Sequence, residues 1–99
     1  MVNAAKVWEA LGTVMDPEIP FSIVDLGLVY GVFVDGAKVR VLVTLTTKGC
    51  PLVRRITDDA AAAVRRDTGA VDVDVEVVWD PPWHPSMAAE QVREQLGWG

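Results

Sequence analysis

The chain has 99 residues, 51% of them apolar, which suffices to bury one core, so one domain over residues 1–99 is expected. A formal charge of −5, with the basic residues dispersed apart from Arg54-Arg55 and Arg65-Arg66, opposes phosphate binding and argues against nucleic acid as a partner. A single cysteine allows no internal disulfide, no charged-then-apolar leader precedes the first helical pattern, and every apolar run falls short of the ~20 residues of a membrane span. The expectation is a cytoplasmic protein with no membrane partner.

The elements follow in chain order. Asn3 is a natural N-cap, Ala4, Val7, Trp8 and Leu11 recur at helical spacing, and Gly12 is placed to stop a first helix. Met15-Asp16-Pro17-Glu18-Ile19-Pro20 cannot be a helix interior or a ladder strand, because its two prolines lack N–H groups; it reads as an ordered connector bearing two carboxylates. Leu26 to Val34 is rich in β-branched and aromatic residues, Asp35-Gly36 supplies a hairpin turn, and Lys38 to Thr46 returns with Val39, Val41, Val43 and Leu45 on one face. Thr44 and Thr46 then fall on the opposite, half-wet face.

Leu52, Ile56, Ala60, Ala63 and Val64 form an apolar stripe, so a second helix is predicted over roughly 52 to 68, with Gly69 at its end. Val71 to Val77 alternates Val with Asp or Glu without a break, which predicts a strand with one packed and one wet face. Because a helix separates it from the hairpin, this strand is expected to run parallel to one of the hairpin strands. Trp79 and Trp83, among prolines, are expected to close the end of the sheet, and Ser86 is read as N-cap of a last helix bearing Ala88, Ala89, Val92 and Leu96. The resulting fold class is α+β, a two-layer α/β sandwich of order αββαβα with a small three-stranded mixed sheet.

Cys50 stands where the second strand gives way to the second helix, in Thr46-Thr47-Lys48-Gly49-Cys50-Pro51. Pro51 suits the first helical position and Cys50 the N-cap, where free N–H groups favour thiolate over thiol. Thiolate attacks electrophiles and binds soft metals, so Cys50 is a candidate ligand or nucleophile; the competing reading is a small buried apolar residue. Thr46 and Thr47 can direct hydroxyls toward this loop, and one of Arg54 and Arg55 can stabilise the thiolate while the other is solvated.

Four separated pieces carry a resemblance: Asp16-Pro17-Glu18-Ile19; Ile23-Val24-Asp25-Leu26-Gly27-Leu28-Val29-Tyr30; Thr44-Leu45-Thr46 with Gly49-Cys50-Pro51; and Pro81-Pro82-Trp83 with Met87. In this order they resemble the metal-sulfur cluster assembly family that includes SufT and the PaaD-type proteins. The resemblance covers nearly the whole chain. It implies an iron-sulfur cluster assembly domain, also seen at the C-terminus of NifU-like scaffolds, and a role in maturing iron-sulfur proteins. It places the family's reactive cysteine on Cys50 and its acidic signature on Asp16, Glu18 and Asp25. The chain departs from NifU-like scaffolds in lacking a Cys-x-x-Cys pair, and from many PaaD-type proteins in lacking a cysteine-rich C-terminal extension.

The leading expectation is a factor, not an enzyme, that assists cluster assembly or insertion into client apoproteins, with Cys50 as a transient metal or sulfur contact. Its partners would be client apoproteins, other assembly factors and, in a homodimer, a second copy. A cluster usually takes four protein ligands, so one cysteine implies a transiently held cluster or iron and no tightly bound cofactor. An adaptor docking through Trp83, His84 and Met87, including a PaaD-type role in oxygenase maturation, is the alternative. A thiol enzyme with His84 as base is the weaker third reading, because nothing in the sequence brings His84 to Cys50. Asp16, Glu18 and Asp25 have a structural reading as turn formers, and His84 lacks the spaced partner of a metal site.

Overall fold

The computed structural model describes residues 2–46 and 53–98. The first helix, α1, spans Ala4–Leu11, and Asn3 caps it by accepting the Lys6 N–H at 2.9 Å. Of the expected stripe Val7 and Leu11 are buried, joined by Ala10, whereas Ala4 and Trp8 are exposed, so the buried face is narrower than the spacing predicts. Strands β1 (Val29–Asp35) and β2 (Lys38–Val43) are antiparallel, joined by the two-residue loop Gly36-Ala37. Gly36 supplies the positive φ, 60°, that such a loop requires. Helix α2 (Val53–Thr68) buries Ile56, Ala60, Ala63 and Val64, and strand β3 (Asp72–Val77) follows it.

The strand order is β1-β2-β3, with β3 parallel to β2 as the crossover rule predicts. Val39, Val41 and Val43 pair with Val73, Val75 and Val77, so one sheet face is a valine layer. Helix α2 packs on β3 and on α1, which reaches β1. Leu11, Ile23, Leu26, Leu28, Val41, Val43 and Val64 are fully buried in one core cluster. Each contributes about 1.5–3 kcal/mol relative to exposure. The opposite face carries Phe33, Arg40 and Glu76 outward, the last two in a 2.8 Å ion pair that is half-exposed and therefore weak. The predicted αββαβα order and the mixed three-stranded sheet are both present.

Four expectations are corrected. β1 begins at Val29 rather than Leu26, because residues 23–27 form a turn in which Gly27 has φ 73°. β2 ends at Val43 rather than Thr46, although the Thr44 N–H still reaches the Leu28 carbonyl at 2.7 Å. Thr44 lies on no wet face: it is fully buried, and its hydroxyl has no partner among the described residues. Ser86 does not cap the last helix. It lies inside a 3-10 turn, Pro85–Met87, and α3 (Glu90–Leu96) starts after the extended Ala88 with Ala89 at its N-cap. Pro85 and the His84 ring start that earlier turn, which ends before α3 begins.

Candidate functional site

Cys50 and Thr47 lie outside the described residues, as does the proposed Cys50–Pro51 helix cap. What is described is the frame on either side. Val43 ends the central strand, Thr44 and Leu45 are buried, Thr46 is half-buried, and α2 runs from Val53. The segment bearing Cys50 thus joins the middle strand of the sheet to the longest helix. In the first turns of α2, Arg54 and Arg55 are exposed and lie 4.0 and 3.9 Å from Asp58 and Asp59, one helical turn on. Such pairs contribute about 0.3–0.5 kcal/mol each and keep both guanidinium groups on the wet face.

The acidic signature residues do separate jobs. Asp16 Oδ1 accepts the N–H groups of Glu18 (2.8 Å) and Ile19 (2.9 Å), which folds the double-proline connector into a turn. The Asp16 N–H bonds the Phe21 carbonyl, and Met15 bridges Ser22, so the connector closes on itself. Glu18 is exposed on this turn. Asp25 is half-buried and serves through its backbone: its N–H donates to Ser22 Oγ and its carbonyl accepts the Ala89 N–H at 2.8 Å. Among the described residues no group of three or more His, Cys, Asp or Glu side chains is arranged to hold a metal ion.

The motif pieces that are far apart in sequence meet in one clamp. Trp83 Nε1 donates to the Leu26 carbonyl at 2.7 Å, and its ring stands edge-on to Trp98, centroids 5.8 Å apart. Tyr30 Oη donates to the Pro81 carbonyl at 2.8 Å and lies 3.6 Å from Met87 Sδ. The Met87 backbone passes so close to Gly27 that a Cβ there would lie 2.3 Å from the Met87 carbonyl oxygen. Gly27 is therefore required twice over, by its positive φ and by the missing side chain. Because Thr44 is bonded to Leu28, one residue beyond Gly27, the clamp braces the chain just where it leaves β2 toward Cys50.

Of the residues assigned to partner binding, Trp83 is half-buried and engaged in this clamp, while His84 and Met87 are exposed. His84 Nδ1 accepts the Ser86 N–H at 3.1 Å and lies 2.9 Å from Ser86 Oγ. Accepting the backbone N–H engages the Nδ1 lone pair within the turn. The histidine is a turn cap. Sequence reasoning missed Gly27, Leu26, Tyr30 and Thr44 as structural determinants. Gly27 had a signal, a glycine inside an apolar run, whereas the bonds of Tyr30 and Trp83 span 51 and 57 residues and leave no local trace.

The comparisons agree with this architecture. A domain from Bacillus anthracis, described as of unknown function, superposes with a TM-score of 0.89 at 34% identity, covering 94% of this chain and 90% of that one. The Fe-S protein maturation auxiliary factor YitW of Bacillus subtilis is 38% identical over 93% of this chain and 91% of its own length. The auxiliary factor SufT of Staphylococcus aureus is 40% identical over 85% of this chain and 97% of its own length. Residues 4–77, which span Cys50, match the family described as iron-sulfur cluster assembly protein. With the fold, the extent of the match and two nearly full-length relatives in agreement, the chain belongs to the iron-sulfur cluster assembly protein family.

Proposed function

We propose that this protein assists the assembly of iron-sulfur clusters or their delivery to client apoproteins, with the Cys50 thiolate as the transient contact to iron, cluster or persulfide sulfur. The observation that carries the reading is the family match across residues 4–77, which includes the chain's one cysteine. A single thiolate leaves most of a cluster's coordination positions open. The client, a small thiol, another assembly factor or a second copy supplies the rest, and an incompletely ligated cluster is one that can be handed on. That chemistry transfers a cargo and needs no catalytic base, in keeping with His84 being committed to a turn cap. The protein is read as a factor and not an enzyme, holding no permanent cofactor and working in the cytoplasm, where its thiol stays reduced.

The exposed His84 and Met87, on the outer side of the clamp, are the residues proposed to meet the partner. Asp16, Glu18, Asp25, Thr46 and Thr47 are assigned supporting roles, Thr46 adjoining the 47–52 segment in sequence and Thr47 lying within it. The test is anaerobic reconstitution with iron and sulfide of the wild type and of Cys50→Ser, read by visible absorption. Cluster absorption that depends on Cys50 supports the reading. Equal absorption, or none in either protein, moves the function to an adaptor that works without the thiol.

A further inference from the structure

The free edge of the sheet carries an inference independent of Cys50. β1 is an edge strand: β2 pairs with one side, and no backbone hydrogen bond engages the other among the described residues. The two-residue loop makes Asp35 and Lys38 the hydrogen-bonded closing pair of the hairpin. Alternation along an antiparallel ladder then makes Phe33 and Arg40 a bonded pair, and turns the N–H and C=O groups of Val32 and Val34 outward, to the free edge.

Proteins usually blunt such edges with charge, proline or a bulge. The other edge is blunted, since β3 carries Asp72, Asp74 and Glu76. β1 has neither charge nor proline from Val29 to Val34, and its one irregularity is at the far end, between Val29 and Gly31. Every residue of β1 is at least partly exposed. Phe33 is 57% exposed, more than any Trp or Tyr ring among the described residues, and it lies over Gly31 at the distance where a Cβ would touch it.

We propose that β1 pairs antiparallel with β1 of a second copy about a two-fold axis at Phe33, giving a continuous six-stranded sheet. In this register Val32 opposes Val34 of the second copy and the reverse, so four backbone hydrogen bonds form from groups that already point outward. Phe33 meets its own counterpart at a non-hydrogen-bonded position, where cross-strand side chains come closest. Asp35 falls opposite Gly31 of the second copy and not opposite another Asp35.

The alternatives are less favourable. Pairing β3 with β3 would set acidic rows together in a chain already at −5. Pairing β1 with β3 would leave free edges and grow a filament instead of closing. A single strand pair buries less than the roughly 1,200 Å² of stable complexes, so the dimer is weak and concentration-dependent. The two Val43 ends lie on opposite sides of the axis, so the pairing requires neither iron nor a shared thiolate, and its failure leaves the cluster-delivery reading intact.

The test is sedimentation equilibrium of the metal-free Cys50→Ser protein up to about 1 mM, which removes disulfide linkage as a cause. A monomer–dimer equilibrium is expected. Phe33→Lys should raise its dissociation constant at least about tenfold, by placing like charges across the axis, while Val71→Lys, at an exposed position before β3, leaves it unchanged. Independently of any β1 variant, hydrogen exchange at Val32 and Val34 amides should slow as concentration rises. The proposal is overturned by a monomer at all concentrations, by a dimer indifferent to Phe33→Lys, or by Val32 and Val34 amides that gain protection only when a client protein is added.

Discussion

Gly27→Ala tests how the clamp is built, and its cost can be worked from the geometry. The residue has φ 73°, which an alanine adopts at a cost of about 1–2 kcal/mol. The new Cβ would lie 2.3 Å from the Met87 carbonyl oxygen, so that carbonyl must retreat by at least about 0.7 Å to reach the 3.0 Å closest approach. Moving the Met87 turn by that much strains the Trp83–Leu26 and Ala89–Asp25 bonds on either side, each worth about 1 kcal/mol. The expected total is about 3–4 kcal/mol, a large share of the 5–15 kcal/mol of an ordinary domain. Gly36→Ala is the control: its φ is 60°, and nothing lies within 4 Å of the added Cβ. Its cost should stay near 1 kcal/mol, offset in part by the lower entropy of the unfolded chain. Urea unfolding followed by tryptophan fluorescence measures both. If Gly27→Ala costs no more than Gly36→Ala, the close approach to Met87 carries no energy and the clamp is misread.

Thr44→Val replaces a buried hydroxyl that has no partner among the described residues with a methyl of the same shape. Stability should be unchanged or rise by up to about 1 kcal/mol in a thermal melt, and a loss above that would show that the hydroxyl is bonded. Trp83→Phe removes the bond to Leu26 and shrinks the ring that stands edge-on to Trp98, and should cost about 1–2 kcal/mol in urea unfolding with an unchanged m-value. The Arg66 guanidinium, bonded to Asp67 at 2.8 Å, holds the Asp67 carboxyl below the usual carboxylate range. A group lowered in the folded state stabilises above its unfolded pKa of 3.8 and loses that contribution as pH falls through the lowered value. A carbon-13 titration of the Asp67 carboxyl should therefore show a midpoint below 3.8 that rises when Arg66 is changed to Gln.

The element order was legible because each element carries its own local signal. Asn3 and the apolar spacing of Val7 and Leu11 define α1, the Gly36 turn defines the hairpin, and the unbroken Val–acid alternation defines β3. The start of β1 was not, because the composition of 26–28 favours a strand while Gly27 is committed to a turn by a backbone 60 residues away. Ser86 misled for the opposite reason: a good capping residue sits inside a 3-10 turn that Pro85 and the His84 ring begin first. Asp16 held its structural reading, its carboxylate closing the connector turn. The clamp as a whole was visible only as motif pieces, since Tyr30, Trp83 and Met87 acquire their roles through contacts more than 50 residues apart in sequence.

The central claim is that cargo passes through Cys50. Its most direct test is transfer from the anaerobically loaded protein to an apo-form client, followed by the client's own absorption and activity, with wild type and Cys50→Ser compared at equal client binding. The account predicts that the variant binds the client and transfers nothing above the rate of free iron and sulfide. Transfer by Cys50→Ser at the wild-type rate would contradict it.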